Sequence, residues 1–172
     1  MVACKNLREV ERSEIMKKAT LHLMVGLPCA GKTTAANQIK DQYQALVLTP
    51  DIWQLALFGD DFGQPVHDER HDVIEGLLWQ IAEQALKLGT SVILDFGFWS
   101  KAERDSFRQR ARALGVGFRI HFMDTPLTEI KQRLQERNQA NGKDTFRIAY
   151  TDILGWAEHF QPPSDDELAD WF

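Results

Sequence analysis

The chain has little cysteine: two residues in 172, Cys4 and Cys29. They stand in unlike sequence contexts, so no disulfide framework is expected. A basic excess is also missing, since 20 Lys and Arg face 25 Asp and Glu for a net charge of −5 at pH 7. Non-specific nucleic-acid binding needs surplus cations to neutralise phosphates, so it is disfavoured, although a local basic groove stays compatible with this balance. No apolar run approaches the length of a membrane span. The opening Met-Val-Ala-Cys-Lys-Asn lacks the apolar core of a signal peptide. The expected location is therefore cytoplasmic, with no membrane partner. Internal repeats and low-complexity tracts are absent. The 44% apolar and 26% charged fractions are those of a globular domain large enough to bury a core.

What the sequence does have is Gly26-Leu27-Pro28-Cys29-Ala30-Gly31-Lys32-Thr33, a G-x-x-x-x-G-K-[ST] phosphate-binding loop. An apolar strand-like run, 21–25, precedes it, and a helix-permissive run, 33–40, follows, which is the context the motif requires. The end glycines let successive backbone N–H groups turn toward a phosphate, and the new helix offers its positive end to the same anion. Residues 26–34, ending in Thr34, are the expected nucleotide contacts. Lys32 can reach the outer phosphates, and Thr33 can ligate magnesium.

Residues 1–18 are densely charged and read as an N-terminal extension, either a solvated helix or a lead-in to the first strand. Met16, directly before Lys17 and Lys18, is a second candidate start of translation, testable by mass spectrometry of the native N-terminus. Residues 19–172 read as one domain. Strands are expected at 20–25, 45–48, 91–95 and 118–123, and helices from the loop to about 43 and at 52–58, 67–88, 101–114, from Pro126, and at 146–160. Val73, Leu77, Leu78, Ile81, Ala85 and Leu88 are spaced to form the apolar face of the long helix. Strands alternating with helices predict an α/β three-layer sandwich around a parallel sheet. Polar residues 138–145, with the turn signal Asn141-Gly142, suggest a lid spanning about 133–147.

Open α/β sheets bind ligands at the carboxyl ends of their strands, and two carboxylates fall there. Asp95 ends an apolar strand, where it would hold magnesium with Thr33 or else cap the next helix, a job for which Ser100 is better placed. Asp51 follows the second strand. A carboxylate near phosphates repels them, so either it is the base for an acceptor hydroxyl or it caps the 52–58 helix. Arg133 and Arg137 share a helix face. They would close over a transferring phosphoryl group, or Arg133 would pair with Glu129 on a solvated surface. His67 and His71 suggest a polar helix start lining an acceptor pocket more than a metal pair. Cys29 lies among inward N–H groups that would lower its pKa and make it reactive, or it is simply a small residue that the loop tolerates. Phe96, Phe98, Trp99, Trp53 and Phe58 are candidate walls of an apolar acceptor pocket, or ordinary core.

With the loop, Asp51 and the block Asp95-Phe96-Gly97-Phe98-Trp99-Ser100 in place, residues 20–163 resemble the small phosphate-loop kinases. That group includes the kinase domain of polynucleotide kinase, chloramphenicol phosphotransferase and many bacterial predicted kinases. Leu57-Phe58-Gly59, Glu103-Arg104 and Arg137-Asn138 are further echoes. The resemblance implies ATP and Mg2+ held by Lys32, Thr33 and Asp95, Asp51 as the base, and Arg133 and Arg137 as lid arginines. It also implies a P-loop sheet of order 2-3-1-4, with four strands or five. Gln54 stands where polynucleotide-kinase-like members often carry arginine, which weakens a nucleic-acid acceptor. The expected function is phosphoryl transfer to a hydroxyl of a small molecule by a monomer or homodimer. A polynucleotide 5′-hydroxyl kinase and a nucleotide-dependent switch, with Trp156, Trp171 and Phe172 as a partner patch, are the alternatives.

Overall fold

The computed structural model describes residues 18–140 and 145–169. The expected extension up to residue 17, Met16 within it, the Asn141-Gly142 turn, and Trp171 and Phe172 lie outside the described residues.

The first strand, β1 (Thr20–Val25), is followed by the loop and α1 (Lys32–Tyr43), then β2 (Ala45–Leu48) and α2 (Pro50–Phe58). Next come α3 (His67–Lys87), β3 (Ser91–Gly97), α4 (Lys101–Leu114) and β4 (Gly117–Phe122). The described chain closes with α5 (Leu127–Gln139), α6 (Tyr150–His159) and α7 (Asp165–Leu168). The four strands are all parallel, in the order β2-β3-β1-β4, with Leu21 level with Val92 and with Phe118. Among the described residues there is no fifth strand. After α6, Pro162 and Pro163 carry the chain into α7 instead.

Strand alternation sorts the core into two layers. Leu21, Leu23, Val25, Val92 and Leu94 face α3 and α4, where they meet Ile74, Leu78, Phe107 and Ala111. Met24 and Ile93 face the opposite way and pack on Ala36 of α1. A third cluster joins Leu27 and Ala30 of the phosphate loop to Ile130 and Leu134 of α5 and to Phe146, Ile148 and Ile153. This last cluster seats the loop against the α5–α6 side of the molecule. No helix among the described residues is long and apolar enough to cross a membrane.

Two expectations change. The buried face of α3 is Ile74, Leu78, Ala82 and Leu86, whereas Val73, Leu77 and Leu88 are 59%, 54% and 80% exposed. This helix carries two apolar stripes, and the one packed on the sheet includes Ala82, whose small side chain admits close approach. The helix expected over 146–160 begins only at Tyr150. Phe146 and Ile148 are both buried with Arg147 exposed between them, an extended alternation, and Asp152 accepts from the Ala149 backbone N–H at 2.8 Å to start the helix.

Candidate functional site

The carboxyl ends of the strands open into a cleft of about 1310 Å³. Gly26 leaves β1 at φ 147°, and a Cβ there would meet the Met123 carbonyl at 3.0 Å, so only glycine fits between the loop and the end of β4. Gly31, at φ 99°, precedes α1, and no side chain caps that helix. Its first-turn N–H groups therefore lack a side-chain partner and suit an anion. Leu27 is buried beneath the loop, and its carbonyl accepts from Lys32 Nζ at 2.9 Å. Thr125 Oγ1 donates to the Ala30 carbonyl at 2.9 Å, tying the loop to the β4–α5 turn.

Thr33 Oγ1 donates to Asp95 Oδ2 at 2.5 Å. Asp95 is 6% exposed, and its Oδ1 is buried without a partner in hydrogen-bond geometry, although the Thr49 side chain lies close enough to favour the carboxylate. Burial pushes the Asp95 carboxyl above the ordinary range and outweighs the Thr33 bond and the Lys32 charge, while Asp51 pushes the same way. Burial likewise lowers Lys32, with Asp95 and Asp51 opposing it. A hydroxyl beside an underpartnered carboxylate is a hard oxygen donor set, so these residues fit magnesium.

The cleft lining brings Pro28 to Thr34 together with Asp51, Asp95, Arg133 and Arg137. Asp51 is exposed in the first turn of α2. Thr49 is the N-cap and Pro50 the first helical residue, so Asp51 does not cap this helix. Ser100 caps α4 by accepting from the Glu103 N–H at 3.1 Å, which frees Asp95 from that task. Arg133 donates to the Cys29 and Ala30 carbonyls at 3.3 and 3.0 Å and pairs with Glu129. Among the described residues, Arg137 reaches the Phe146 carbonyl at 3.4 Å, and its buried Nε has no partner there.

The Cys29 thiol departs from expectation. Burial raises its pKa, although Arg137, Lys32 and Arg133 pull the other way, because half-burial in the loop removes the water that would stabilise a thiolate. Phe96, Phe98 and Trp99 line the cleft, but Trp53 and Phe58 do not. Phe58 instead lies under the Arg70 guanidinium, 4.3 Å from its ring centroid. Their places are taken by Phe62, Phe146 and Trp156, with Trp156 5.4 Å from Trp99 and 6.0 Å from Phe62 between centroids.

His67 and His71 both line the cleft, and buried Gln54 binds them together. Its Oε1 lies 2.8 Å from His71 Nδ1 and its Nε2 2.9 Å from His67 Nδ1. Asp61 bonds His67 at 2.8 Å and Arg70 at 2.9 Å. Burial pushes the Asp61 carboxyl up, but the bonds from His67, Arg70 and Gln54 bring it below the ordinary range. Among the described residues, no group of three or more His, Cys, Asp or Glu is arranged to hold a metal ion. Asp68, Glu75 and Glu103 also line the cleft and were not singled out from the sequence as site residues. Glu75 follows His71 at i+4, and Ser100-Lys-Ala-Glu103 is a capping box that could have placed Glu103.

A family profile described as AAA domain (AAA_33) matches residues 21–163. A search of curated proteins found no match. Similar solved structures include a chain of the Pnkp1/Rnl/Hen1 RNA repair complex, 23% identical over 83% of this chain and 44% of that one, with a TM-score of 0.63. This chain thus spans less than half of that relative. A sugar kinase from Janibacter sp. is 18% identical over 87% and 81%, with a TM-score of 0.62. Chaetomium thermophilum Kti12, solved with ADP-AlF3, is 16% identical over 84% and 81%, with a TM-score of 0.63. At these identities the likeness speaks for the fold. The profile, by contrast, spans the loop, Asp51, Asp95 and both arginines, so the chain belongs to the AAA domain family, and its parallel sheet of order β2-β3-β1-β4 between helices is a P-loop NTPase-like α/β fold.

Proposed function

We propose that this protein is an ATP-dependent phosphotransferase that moves the γ-phosphate to a hydroxyl of a small molecule. One observation carries the reading: exposed Asp51 lines the same cleft as Lys32, Thr33 and Asp95 and caps no helix. Nucleotide binding alone gives no reason for a second carboxylate there.

On this reading the loop N–H groups and Lys32 cradle the outer phosphates, and Thr33 and Asp95 hold magnesium. Magnesium, when bound, neutralises part of the charge on those phosphates. Asp51 accepts the acceptor's hydroxyl proton as its oxygen bonds to the γ-phosphorus. The bond from that phosphorus to the bridging oxygen breaks, and ADP leaves with the electron pair. Arg133 is committed to the loop carbonyls and steadies the cradle. Arg137, with donors to spare, closes over the transferring group as part of a lid around 133–147. Positioning and charge stabilisation supply most of the effect.

The test is γ-labelled ATP offered with a pooled library of hydroxylated metabolites and antibiotics, alongside a 5′-hydroxyl RNA oligonucleotide. Label is expected in a small molecule. The likeness to the RNA repair protein favours the oligonucleotide as a second reading, and label in the RNA with a steep salt dependence would establish it instead. ATP binding with no transfer to anything would favour a switch.

A further inference from the structure

One histidine in the cleft wall is held in a single protonation pattern with a ring nitrogen to spare. Buried Gln54 donates from Nε2 to Asp61 Oδ1 at 3.0 Å and to the His67 carbonyl at 3.1 Å. An amide nitrogen carries two protons, so both are spent. The same nitrogen lies 2.9 Å from His67 Nδ1 and has no proton left for it. His67 Nδ1 therefore carries its own proton and donates to Asp61 Oδ1 at 2.8 Å, because a bare ring nitrogen there would set its lone pair against a carboxylate. Asp61 Oδ2 accepts from Arg70 Nη1 at 2.9 Å. That guanidinium balances the carboxylate charge, so a neutral His67 ring completes the group.

His67 Nε2 is left as a hydrogen-bond acceptor. It has no hydrogen-bond partner among the described residues, yet it is not sealed in the interior as Arg137 Nε is. Phe62 and Phe146 meet the ring at 85° and 87°, with centroids 5.3 and 5.0 Å away, and fix its tilt. His71 has no such nitrogen free, since Nδ1 lies 2.8 Å from Gln54 Oε1 and Nε2 3.3 Å from Glu75. Tethering the loop after α2 would need His67 Nδ1 alone. Asp51 stands three residues before Gln54 in α2, on the same helix face and about 5–6 Å away between Cβ atoms. Asp51 and His67 both line the cleft, so a small molecule whose hydroxyl meets Asp51 has the His67 ring within reach.

We propose that His67 Nε2 accepts a hydrogen bond from a second hydroxyl of the acceptor, with Asp61 as the positioning residue that fixes the tautomer, so that the substrate is a polyol and not a monohydroxyl alcohol. This rests on the phosphotransferase reading and narrows its substrate class. A site built to bond a hydroxyl rejects the analogue that lacks it, because the site's own polar atom is then left unpaired.

Two measurements on the full chain test this. Long-range nitrogen–proton correlation spectra of the wild-type protein at neutral pH are expected to show His67 protonated at Nδ1 and bare at Nε2. A proton on Nε2 would overturn the proposal and leave the kinase reading standing. Next, γ-labelled ATP is offered with erythritol, ribose and glucose, with butanol and cyclohexanol as monohydroxyl probes, and with the pooled library. Label is expected in polyols, and equal kcat/KM for a monohydroxyl compound would overturn the assignment. Among singly deoxygenated forms of the labelled polyol, one is expected to lose at least about tenfold in kcat/KM with wild type but less than about twofold with His67→Asn. That variant keeps an amide donor for Asp61 and removes Nε2, so a merely structural histidine would leave the deoxy penalty unchanged, and an unchanged penalty refutes the contact. The spectra need only wild type, so an unstable variant does not shield the proposal. Label in the RNA oligonucleotide alone would overturn the polyol, and no transfer to anything with ATP still bound would overturn both readings.

Discussion

Replacing Arg104 by Met should destabilise the protein far more than an ordinary surface change. Arg104 Nε and Nη2 bond the two Glu167 carboxylate oxygens at 2.8 and 3.3 Å, and the side chains are 0% and 3% exposed. Removing one partner leaves the other charge buried without its match, which costs about 3–5 kcal/mol. Glu167→Leu should fall in the same range. The double variant Arg104→Met, Glu167→Leu leaves no stranded charge and loses the bond from Ser164 N to Glu167 Oε2 at 3.1 Å and the bond from Arg104 Nη1 to the Phe98 carbonyl at 3.1 Å. It should lie within about 1–2 kcal/mol of wild type. The coupling energy from a double-mutant cycle in urea is therefore at least about 3 kcal/mol. The pH dependence has a definite sign. Burial pushes Glu167 up, but the Arg104 bonds outweigh it and hold the folded pKa below the ordinary 4.5. This contribution is fully present above the unfolded value and is lost as pH falls through the folded one. In Arg104→Met burial acts unopposed by that pair, so acidification should narrow the stability gap to wild type. Single variants within about 1 kcal/mol of wild type, or a double variant equal to the sum of the singles, would refute the reasoning.

Other outcomes follow from the site. Lys32→Ala should slow transfer by about 10²–10³-fold in steady-state kinetics, since on the proposed reading it removes the cation that cradles the outer phosphates. Asp95→Asn should stabilise the ligand-free protein at neutral pH in thermal or urea unfolding, with the gain shrinking on acidification. The raised Asp95 pKa means the charged form is the strained one, so the wild-type deficit appears as pH rises through that value and fades below it. The same substitution should abolish the magnesium dependence of ATP binding measured by calorimetry. Cys29, with its raised pKa, should react with iodoacetamide at neutral pH more slowly than a free thiol, and more slowly still with ATP present.

The phosphate loop was readable from the sequence because its pattern is local. Residues 26–34 are contiguous, and the apolar run before them and the helix after them confirm each other. The order β2-β3-β1-β4 came from the family resemblance, the strands themselves from unbroken apolar runs such as 92–94. The aromatic walls of the cleft were harder, because they come from four distant segments. Phe62, Trp99, Phe146 and Trp156 meet only through tertiary packing, and Trp53 and Phe58 carried the same signal without belonging there. Helix α3 failed for a related reason. With apolar residues on two stripes, periodicity cannot say which one faces the sheet. The raised Cys29 pKa depends on burial, which the glycine-rich motif does not reveal. Glu167, the buried anchor of Arg104, lies in an acidic stretch that reads as solvated surface.

The most direct measurement is transfer from γ-labelled ATP by Asp51→Asn beside wild type, on whichever acceptor wild type labels, with ATP affinity measured in parallel. On the proposed reading, in which Asp51 serves the acceptor and not the nucleotide, its loss should lower kcat by about 10²–10⁴-fold while the Kd for ATP stays within about twofold. Unchanged kcat in Asp51→Asn would contradict the two-sided cleft at its centre.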